Sequence, residues 1–418
     1  MQAVVACVGT AATVAAVSMH NYSSGGMSNP GVAEPTTKEV DAIAVTASAP
    51  SRISGIDVLR GLSILAVVIH HINLRIPLKK TVVAQFLPKQ VVSDLGWNGY
   101  NGVIVFFAVS GFLITTTCFR RWGDLAKLSL KGFYRFRFAR IAPCLVALLA
   151  VLSTLHLLHV PWYTIKAGQC SLTRAIIAAL TCHINWLEAQ RGYLPANWDA
   201  LWSLSNEEMF YLFFPLLCVI TRKREILISV LLCFVAIGPF ARILWTTNSY
   251  WADNGYLSCA DALALGCLSA IAVRNTGLGS RGRVSLQVAG PAVIVFITLF
   301  RPQVRALGLY RNGLDVSLLA AGTAIACAAF VNSPGQGSRL FSPLRWFGRN
   351  SYEIYLTHMM VIFPMLWVVK RIDPAWRCVV LWYAGTVLLT GVVGAAIARY
   401  FSEPMNRRLR ARPSSLRG

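Results

Sequence analysis

The sequence predicts an all-α protein, a polytopic transmembrane helical bundle of about ten membrane-spanning helices, and three observations support this. Hydrophobic residues make up 56% of the 418 residues, charged residues make up 13%, and the mean hydropathy is +0.56. A soluble chain of this length would not bury so much apolar surface in one core. Ten apolar stretches are each long enough to cross a bilayer, and short Lys and Arg clusters separate them.

The order of these stretches predicts the topology. The spans lie near residues 56–74, 101–119, 139–160, 203–221, 225–245, 256–273, 285–301, 314–332, 352–369 and 378–400. A shorter apolar stretch at 175–187 contains three polar or amphipathic side chains, and we expect it not to cross. With ten crossings, most basic clusters fall on one side, which the positive-inside rule makes cytoplasmic. Both termini are then cytoplasmic, and 161–202 is an external loop that can dip back into the membrane.

The chain ends differ in composition from the membrane domain. Residues 1–50 are rich in Ala, Val, Thr, Ser and Pro, lack a basic signal-peptide region, and are predicted to be a disordered, low-complexity leader. The membrane domain is assigned to 53–405, and 406–418 to a basic cytoplasmic tail.

Charge and cysteine content exclude several other classes of protein. The formal net charge is +22, but no nucleic-acid-binding motif accompanies it, so we expect attraction to anionic lipid headgroups and no nucleic-acid partner. The eleven cysteines include no C-x-x-C pair, which argues against a disulfide scaffold and against a metal site.

The first span, GIDVLRGLSILAVVIHHI, contains three ionisable groups that are unfavourable in lipid. Helical residues advance by about 100° each, so Arg60 and His71 share one face and lie roughly 16 Å apart along the axis. His70 points about 80° away from Arg60, and we expect its ring to bond to a neighbouring helix. The Arg60–His71 face suits an anionic ligand whose reactive end points toward His71.

Other spans carry further candidate site residues. Ser110 lies in GYNGVIVFFAVSGFLIT, without the strand–turn–helix setting of a hydrolase nucleophile, and is interpreted as a packing or ligand contact. Arg137 and Arg140 stand at the entry of the third span, where they either reach headgroups or clamp phosphates. Glu207 and Glu208 begin the fourth span, and we expect one of them to face the bundle interior.

The ninth span adds a polar face. In RNSYEIYLTHMM, the four-then-three spacing places Ser351, Tyr355 and His358 on the same side of a helix. Tyr355 and His358 are therefore candidates for substrate binding or for structural contacts within the bundle.

The order of these motifs is more specific than any one of them. The series R-G-(x)9-H, G-V-x-x-F-F-x-x-S-G-F-L-I, R-x-x-R-I-x-P, W-S-L-S-x-E-E-x-F-Y, S-Y-x-I-Y-L-x-H and E-P resembles the acyltransferase-3 family of integral membrane O-acyltransferases. The resemblance covers about residues 53–405. The matching positions are Arg60, Gly61 and His71; Gly102 to Ile114; Arg137, Arg140, Ile141 and Pro143; Trp202 to Tyr211, including Ser203; Asp261 and Gly266; Ser351 to His358; Glu403 and Pro404.

The resemblance implies transfer of an acyl group, with acetyl favoured, from cytoplasmic acyl-CoA to a hydroxyl of a carbohydrate, glycolipid or macrolide-like acceptor. Acyl-CoA is then a co-substrate, no cofactor is tightly bound, and the location is a bacterial inner membrane. His71 is expected to act as the base or as an acyl relay, with Arg60 lining the path below it. Arg137 and Arg140 would hold the CoA phosphates, and Glu207 would orient His71 or bind the sugar.

Three other functions use similar residues. A transporter or flippase of a lipid-linked sugar would also need buried His, Arg and Glu side chains, although no internal repeat is evident. A non-catalytic membrane sensor would leave the Arg60–His71 alignment without a purpose. A membrane glycosyltransferase would be expected to show an acidic metal-binding cluster in a loop, and none is evident in the sequence.

Overall fold

The computed structural model describes residues 52–245, 247–275, 279–331 and 337–411. The predicted leader at 1–50 and the last residues of the predicted tail lie outside this part. The described residues form helices, turns and loops, with no strand. The predicted all-α fold is confirmed.

The chain forms helices of very unequal length. Short 3-10 turns occur at Leu78–Lys80 and Arg339–Phe341, and a π-helical turn occurs at Ala398–Ser402. In chain order the α-helices are α1 Ser54–Asn73, α2 Val83–Phe86, α3 Lys89–Trp97, α4 Gly99–Trp122, α5 Leu130–Leu157, α6 Leu172–Leu180, α7 Ile184–Arg191, α8 Asn197–Thr221, α9 Arg224–Leu244, α10 Ser249–Asn254, α11 Tyr256–Asn275, α12 Ser280–Leu299, α13 Arg301–Ala306, α14 Leu314–Val331, α15 Ser342–Arg349, α16 Ser351–Ile372, α17 Val379–Ile397 and α18 Glu403–Arg410.

Ten helical segments in the described part are long and apolar enough to cross a membrane. Eight are single helices, while the other two join α10 to α11 and α17 to α18. Each overlaps one predicted span. The doubtful stretch at 175–187 is divided between α6 and α7, which have nine and eight residues and are too short to cross. The ten-span prediction is therefore confirmed.

Two spans begin earlier than the sequence predicts. Helix α5 starts at Leu130 rather than near residue 139, and α8 starts at Asn197 rather than near residue 203. Glu207 consequently lies about 15 Å along α8 from its first residue, so the expectation that it begins the span is wrong. The hydropathy pattern missed this start because α8 opens with polar side chains.

The segment between α5 and α8 folds against the bundle. Glu188 on α7 is buried and accepts a hydrogen bond from the hydroxyl of Tyr250 on α10. Burial raises the pKa of the Glu188 carboxyl well above its ordinary value. The backbone carbonyl of Asn254 accepts hydrogen bonds from Asn185 at 2.6 Å and from Asn206 at 3.2 Å. These contacts anchor α7 to α8 and α10.

A close helix crossing positions α4 at the centre of the bundle. Gly111 on α4 faces the backbone carbonyl of Leu263, and Gly266 on α11 faces that of Ala108. A side chain at either glycine would overlap the opposite backbone, so the two helices approach as closely as small residues allow.

A buried ion pair joins three neighbouring helices. Arg242 on α9 donates to both carboxylate oxygens of Asp261 on α11, at 3.2 and 2.7 Å. Its guanidinium also donates to Ser317 on α14 at 2.6 Å and to the carbonyl of Gly313 at 2.9 Å. Because both charges are buried, each depends on this network for its polar partners.

Candidate functional site

A cavity of about 490 Å³ lies between α1, α4, α5, α8 and α16, with the last residue of α18 at one end. This volume is in the range of small-molecule binding sites. Side chains at one end of the wall belong to the helix ends predicted to be cytoplasmic, including Trp122 and Phe133. The other end is formed by Val103, Ser203 and Tyr355, so the cavity extends roughly 29 Å along α4.

The cavity wall carries an excess of positive charge. Among the described residues that line it, five are arginines and a single one is a carboxylate: Arg60, Arg121, Arg137, Arg140 and Arg410, against Glu207. Charges interact more strongly at such a partly buried site than they do in water. The cavity is therefore suited to an anionic ligand.

Arg137 and Glu207 belong to one polar network in the middle of the cavity. The guanidinium carbon of Arg137 lies 3.4 Å from the centre of the Tyr211 ring. The Tyr211 hydroxyl donates to Glu207 at 3.3 Å and also contacts the Ser110 hydroxyl. Ser110 thus contacts another hydroxyl at the cavity wall, which agrees with its interpretation as a packing or ligand contact.

Glu207 makes no contact with His71 in the described structure. The positive charges that act on its carboxylate are those of Arg137 and Arg60. The sequence-based expectation that Glu207 orients His71 has no contact to support it. Its position instead favours a role in holding Arg137 and Tyr211 at the cavity wall.

Arg140 is engaged by a residue that the sequence analysis did not single out. Its Nη1 donates to Glu353 on α16 at 2.9 Å and to the Ser402 hydroxyl at 3.2 Å. Ser402 also donates to Glu353 at 2.6 Å. Arg140 therefore links α5, α16 and the π-helical turn, and only part of its guanidinium remains available to a ligand.

Arg60 lines the cavity from α1 and contacts α16. Its Nη2 donates to the Ser351 hydroxyl at 2.8 Å, at the start of α16. The next residue, Gly61, packs directly against the backbone carbonyl of Leu344 on α15, so a side chain there would push α1 away. This contact fixes Arg60 at the level of Ser351.

Tyr355 and Ser203 form the far end of the cavity. The Ser203 hydroxyl donates to the Tyr355 oxygen at 2.7 Å, and Tyr355 donates to the carbonyl of Ala200 at 3.1 Å. The Phe106 ring packs against Tyr355 with 6.5 Å between ring centres. Trp202 does not line the cavity and instead packs against Tyr100 and Phe107.

His71 and His358 form a pair of rings just beyond Tyr355, with their centres 4.8 Å apart. The Nδ1 of His71 bonds to the carbonyl of Val67 at 2.9 Å, and the Nδ1 of His358 bonds to that of Tyr355 at 2.6 Å. A carbonyl can only accept, so each Nδ1 carries a proton, and in the neutral ring the lone pair is on Nε2. His358 is fully buried, and its Nε2 has no hydrogen-bond partner among the described residues.

Neither histidine belongs to the wall of the cavity in the described structure. The ring of Tyr355 lines the cavity and also contacts His358, with 5.7 Å between the ring centres. Tyr355 therefore connects the cavity wall to the histidine pair.

The His70 ring contacts α3, whereas the His71 ring contacts α16, as the helix geometry predicts. Its Nδ1 donates to the carbonyl of Gly96 on α3 at 3.0 Å, and its ring packs against Trp97. The expected bond to a neighbouring helix is confirmed. The Arg60–His71 face is also confirmed, because Arg60 and His71 both face α16.

Three residues of the site were not predicted from the sequence: Glu353, Arg121 and Arg410. Glu353 was visible as an acid in an otherwise apolar span, two residues before Tyr355. Arg121 and Arg410 gave no such signal, because basic residues at the ends of spans are common.

Comparisons with known proteins identify the family of this chain. Residues 53–400 match the acyltransferase domain family. The chain is 26% identical over 385 residues to the O-acetyltransferase OatA of Staphylococcus aureus (strain NCTC 8325 / PS 47), covering 86% of this chain and 58% of the relative. It is 27% identical over 385 residues to the peptidoglycan O-acetyltransferase OatA of Listeria monocytogenes, covering 85% of this chain and 56% of the relative.

The chain thus spans somewhat more than half the length of these curated relatives. No solved structure matches it. The family match covers most of the membrane domain and includes His71, Arg60, Arg137, Glu207 and His358. The chain is an integral membrane protein that belongs to the acyltransferase domain family.

Proposed function

We propose that this protein is a membrane O-acetyltransferase that moves an acetyl group from cytoplasmic acetyl-CoA to a hydroxyl of a carbohydrate acceptor. One observation carries the proposal: an arginine-lined cavity begins at the predicted cytoplasmic end and stops next to the His71–His358 pair. The relatives named O-acetyltransferases support the reaction type.

Acetyl-CoA fits the charge and the length of the cavity. Its phosphates are multiply anionic, and arginine guanidinium groups bind phosphate oxygens with paired hydrogen bonds. Its pantetheine arm is long, flexible and mostly uncharged, as a narrow cavity between helices requires. With the phosphates near Arg137, the thioester is directed past Arg60 toward Tyr355 and the histidine pair.

His71 supplies the base in the proposed reaction. Its Nε2 lone pair removes the proton from the acceptor hydroxyl, while the hydroxyl oxygen attacks the thioester carbon. The new ester bond forms as the carbon–sulfur bond breaks, and the leaving CoA thiolate takes the proton from His71, which returns the imidazole to its neutral form. The hydrogen bond from Nδ1 to the carbonyl of Val67 selects the neutral tautomer whose lone pair is on Nε2.

The acceptor is proposed to approach from the opposite end of the bundle. His71 lies near the end of α1 that is predicted to be external, where a surface glycan would be accessible. The name of the Listeria relative specifies peptidoglycan, and we propose a cell-envelope carbohydrate of this kind. The protein would then reside in a bacterial cytoplasmic membrane with both termini inside.

The test is transfer of radiolabel from acetyl-CoA by the full chain reconstituted in liposomes. Muropeptides and other cell-envelope glycans serve as acceptors, and the products are identified by mass spectrometry. We expect an alkali-labile acetyl ester on the glycan. Movement of a lipid-linked sugar without any transfer of label would contradict the proposal and favour a flippase.

Arg137→Gln is expected to raise the KM for acetyl-CoA about tenfold or more, since a charge-assisted hydrogen bond contributes roughly 1.5–3 kcal/mol. The KM for the acceptor should change little, because the acceptor is proposed to reach His71 from the opposite end of the bundle. Initial rates at varied acetyl-CoA and varied acceptor measure both constants.

Lys131→Gln is a matched control for this prediction, because Lys131 is an exposed cation at the start of the same helix. Arg137→Lys keeps the charge without the planar fork and should fall between the wild type and Arg137→Gln. Equal increases in KM for Lys131→Gln and Arg137→Gln would contradict a phosphate contact at Arg137.

A further inference from the structure

The C-terminal helix α18 reaches the mouth of the cavity. The π-helical turn Ala398–Ser402 ends α17, and α18 then packs against α5. Its last residue, Arg410, lines the cavity, although it was assigned from the sequence to a cytoplasmic tail. A residue from the far end of the chain is thereby brought to the predicted cytoplasmic end of the site.

Two arginines of the cavity wall lie at one aromatic ring in this mouth, and Arg135, which does not line the cavity, lies 5.5 Å from the centre of the same ring. The guanidinium carbons of Arg121 and Arg410 lie 3.7 and 5.2 Å from the centre of the Phe136 ring. The side chains of Arg121, Arg410 and Phe136 all line the cavity. Contact with the ring face holds each guanidinium in place without neutralising its charge.

No acid balances this cluster in the described part of the chain. The ion pairs found there involve Arg140, Arg242, Arg274, Arg349 and Arg407, and neither Arg121 nor Arg410. The charges that act on Arg410 belong to other arginines, namely Arg121, Arg140 and Arg137. The buried Nε of Arg410 also has no hydrogen-bond partner there. Like charges held together in this way are unfavourable unless an anion binds among them.

We propose that Arg121 and Arg410, arranged on Phe136, bind phosphate groups of the donor nucleotide at the mouth of the cavity. The inference rests on the proposed acetyl-CoA-dependent function. Planar guanidinium groups match phosphate geometry, and the position at the entrance leaves the inner cavity free for the thioester arm. A phospholipid headgroup offers the same chemistry, but the cavity wall places these arginines on the donor path.

The test measures binding of CoA and of pantetheine, which lacks the nucleotide phosphates, to the purified full chain by calorimetry. For Arg410→Gln and Arg121→Gln we expect CoA affinity to fall about tenfold or more and pantetheine affinity to stay unchanged. Arg408→Gln and Arg120→Gln are the matched controls, because both residues are exposed and lie close in sequence to the two proposed phosphate-binding arginines. Arg410→Lys should recover part of the affinity.

Three results would overturn the inference. The first is CoA binding by Arg410→Gln that equals that of Arg408→Gln. The second is an equal loss of CoA and pantetheine binding, which indicates a structural change. The third is an Arg410→Gln variant that binds CoA with wild-type affinity but no longer binds phosphatidylglycerol vesicles, while its binding to phosphatidylcholine vesicles is unchanged. That result would assign the site to a lipid headgroup.

The activity assay separates this inference from the proposed function. A wild-type protein that neither binds CoA nor transfers acetyl groups contradicts both. The Arg410 site alone is contradicted if the wild-type protein transfers acetyl groups and the Arg410→Gln variant has an unchanged KM for acetyl-CoA.

Discussion

His71→Ala is expected to lower the rate of acetyl transfer about 100- to 10,000-fold, the usual contribution of a general base. His70→Ala should retain most of the activity, although the two residues are adjacent in the sequence. We expect this difference in activity because the two rings contact different residues. His70 bonds to Gly96 and packs on Trp97, whereas His71 faces His358 across a ring distance of 4.8 Å.

The effect of His71→Ala should appear in kcat more than in the KM for acetyl-CoA. His71 does not line the donor cavity, so its loss leaves the arginine contacts in place. The base is needed only when the acceptor proton leaves, which is an interaction of the transition state. Initial rates in liposomes, corrected for the amount of correctly inserted protein, measure this separation.

His70→Ala serves as the matched control for insertion and folding. It removes one hydrogen bond, whose net contribution is about 1 kcal/mol, and it should lower thermal stability slightly. Full label transfer by correctly inserted His71→Ala would falsify the assignment of the base. Equal losses of rate in His70→Ala and His71→Ala would contradict the argument from helix faces.

The sequence could predict the features that are set within a single helix, namely which residues share a face and where the spans lie. Arg60 and His71 share a face because eleven residues make nearly whole turns, and both side chains do face α16. The same periodicity placed Ser351, Tyr355 and His358 together. Hydropathy gave the ten spans because every crossing segment must satisfy its backbone groups in lipid.

Contacts between distant helices could not be predicted in this way. Arg140 and Glu353 are 213 residues apart, and periodicity does not say which helix packs next to which. Arg410 was assigned to a tail because a basic cluster after a span is ordinarily cytoplasmic and free. The depth of Glu207 was misjudged because α8 begins with polar residues that packing, rather than hydropathy, keeps helical.

The second large effect concerns stability. Asp261→Ala is expected to destabilise the protein by about 3–5 kcal/mol, because it leaves the buried Arg242 guanidinium without its carboxylate partner. Thermal unfolding of the detergent-solubilised protein, followed by size-exclusion chromatography, measures the loss. The double variant Arg242→Leu with Asp261→Leu should be more stable than Asp261→Ala, since it removes both buried charges.

Asp124→Ala is the matched control, because Asp124 pairs with Arg274 at 3.9 Å and both side chains are exposed. An exposed pair contributes about 0–1 kcal/mol, so this variant should unfold close to the wild-type temperature. The Asp261 network supports α11, which crosses α4 at Gly111 and Gly266, and α4 carries Ser110 at the cavity wall. Asp261→Ala should therefore also reduce acetyl transfer without contacting either substrate. If Asp261→Ala and Asp124→Ala unfold at the same temperature, the buried pair does not hold α9, α11 and α14 together.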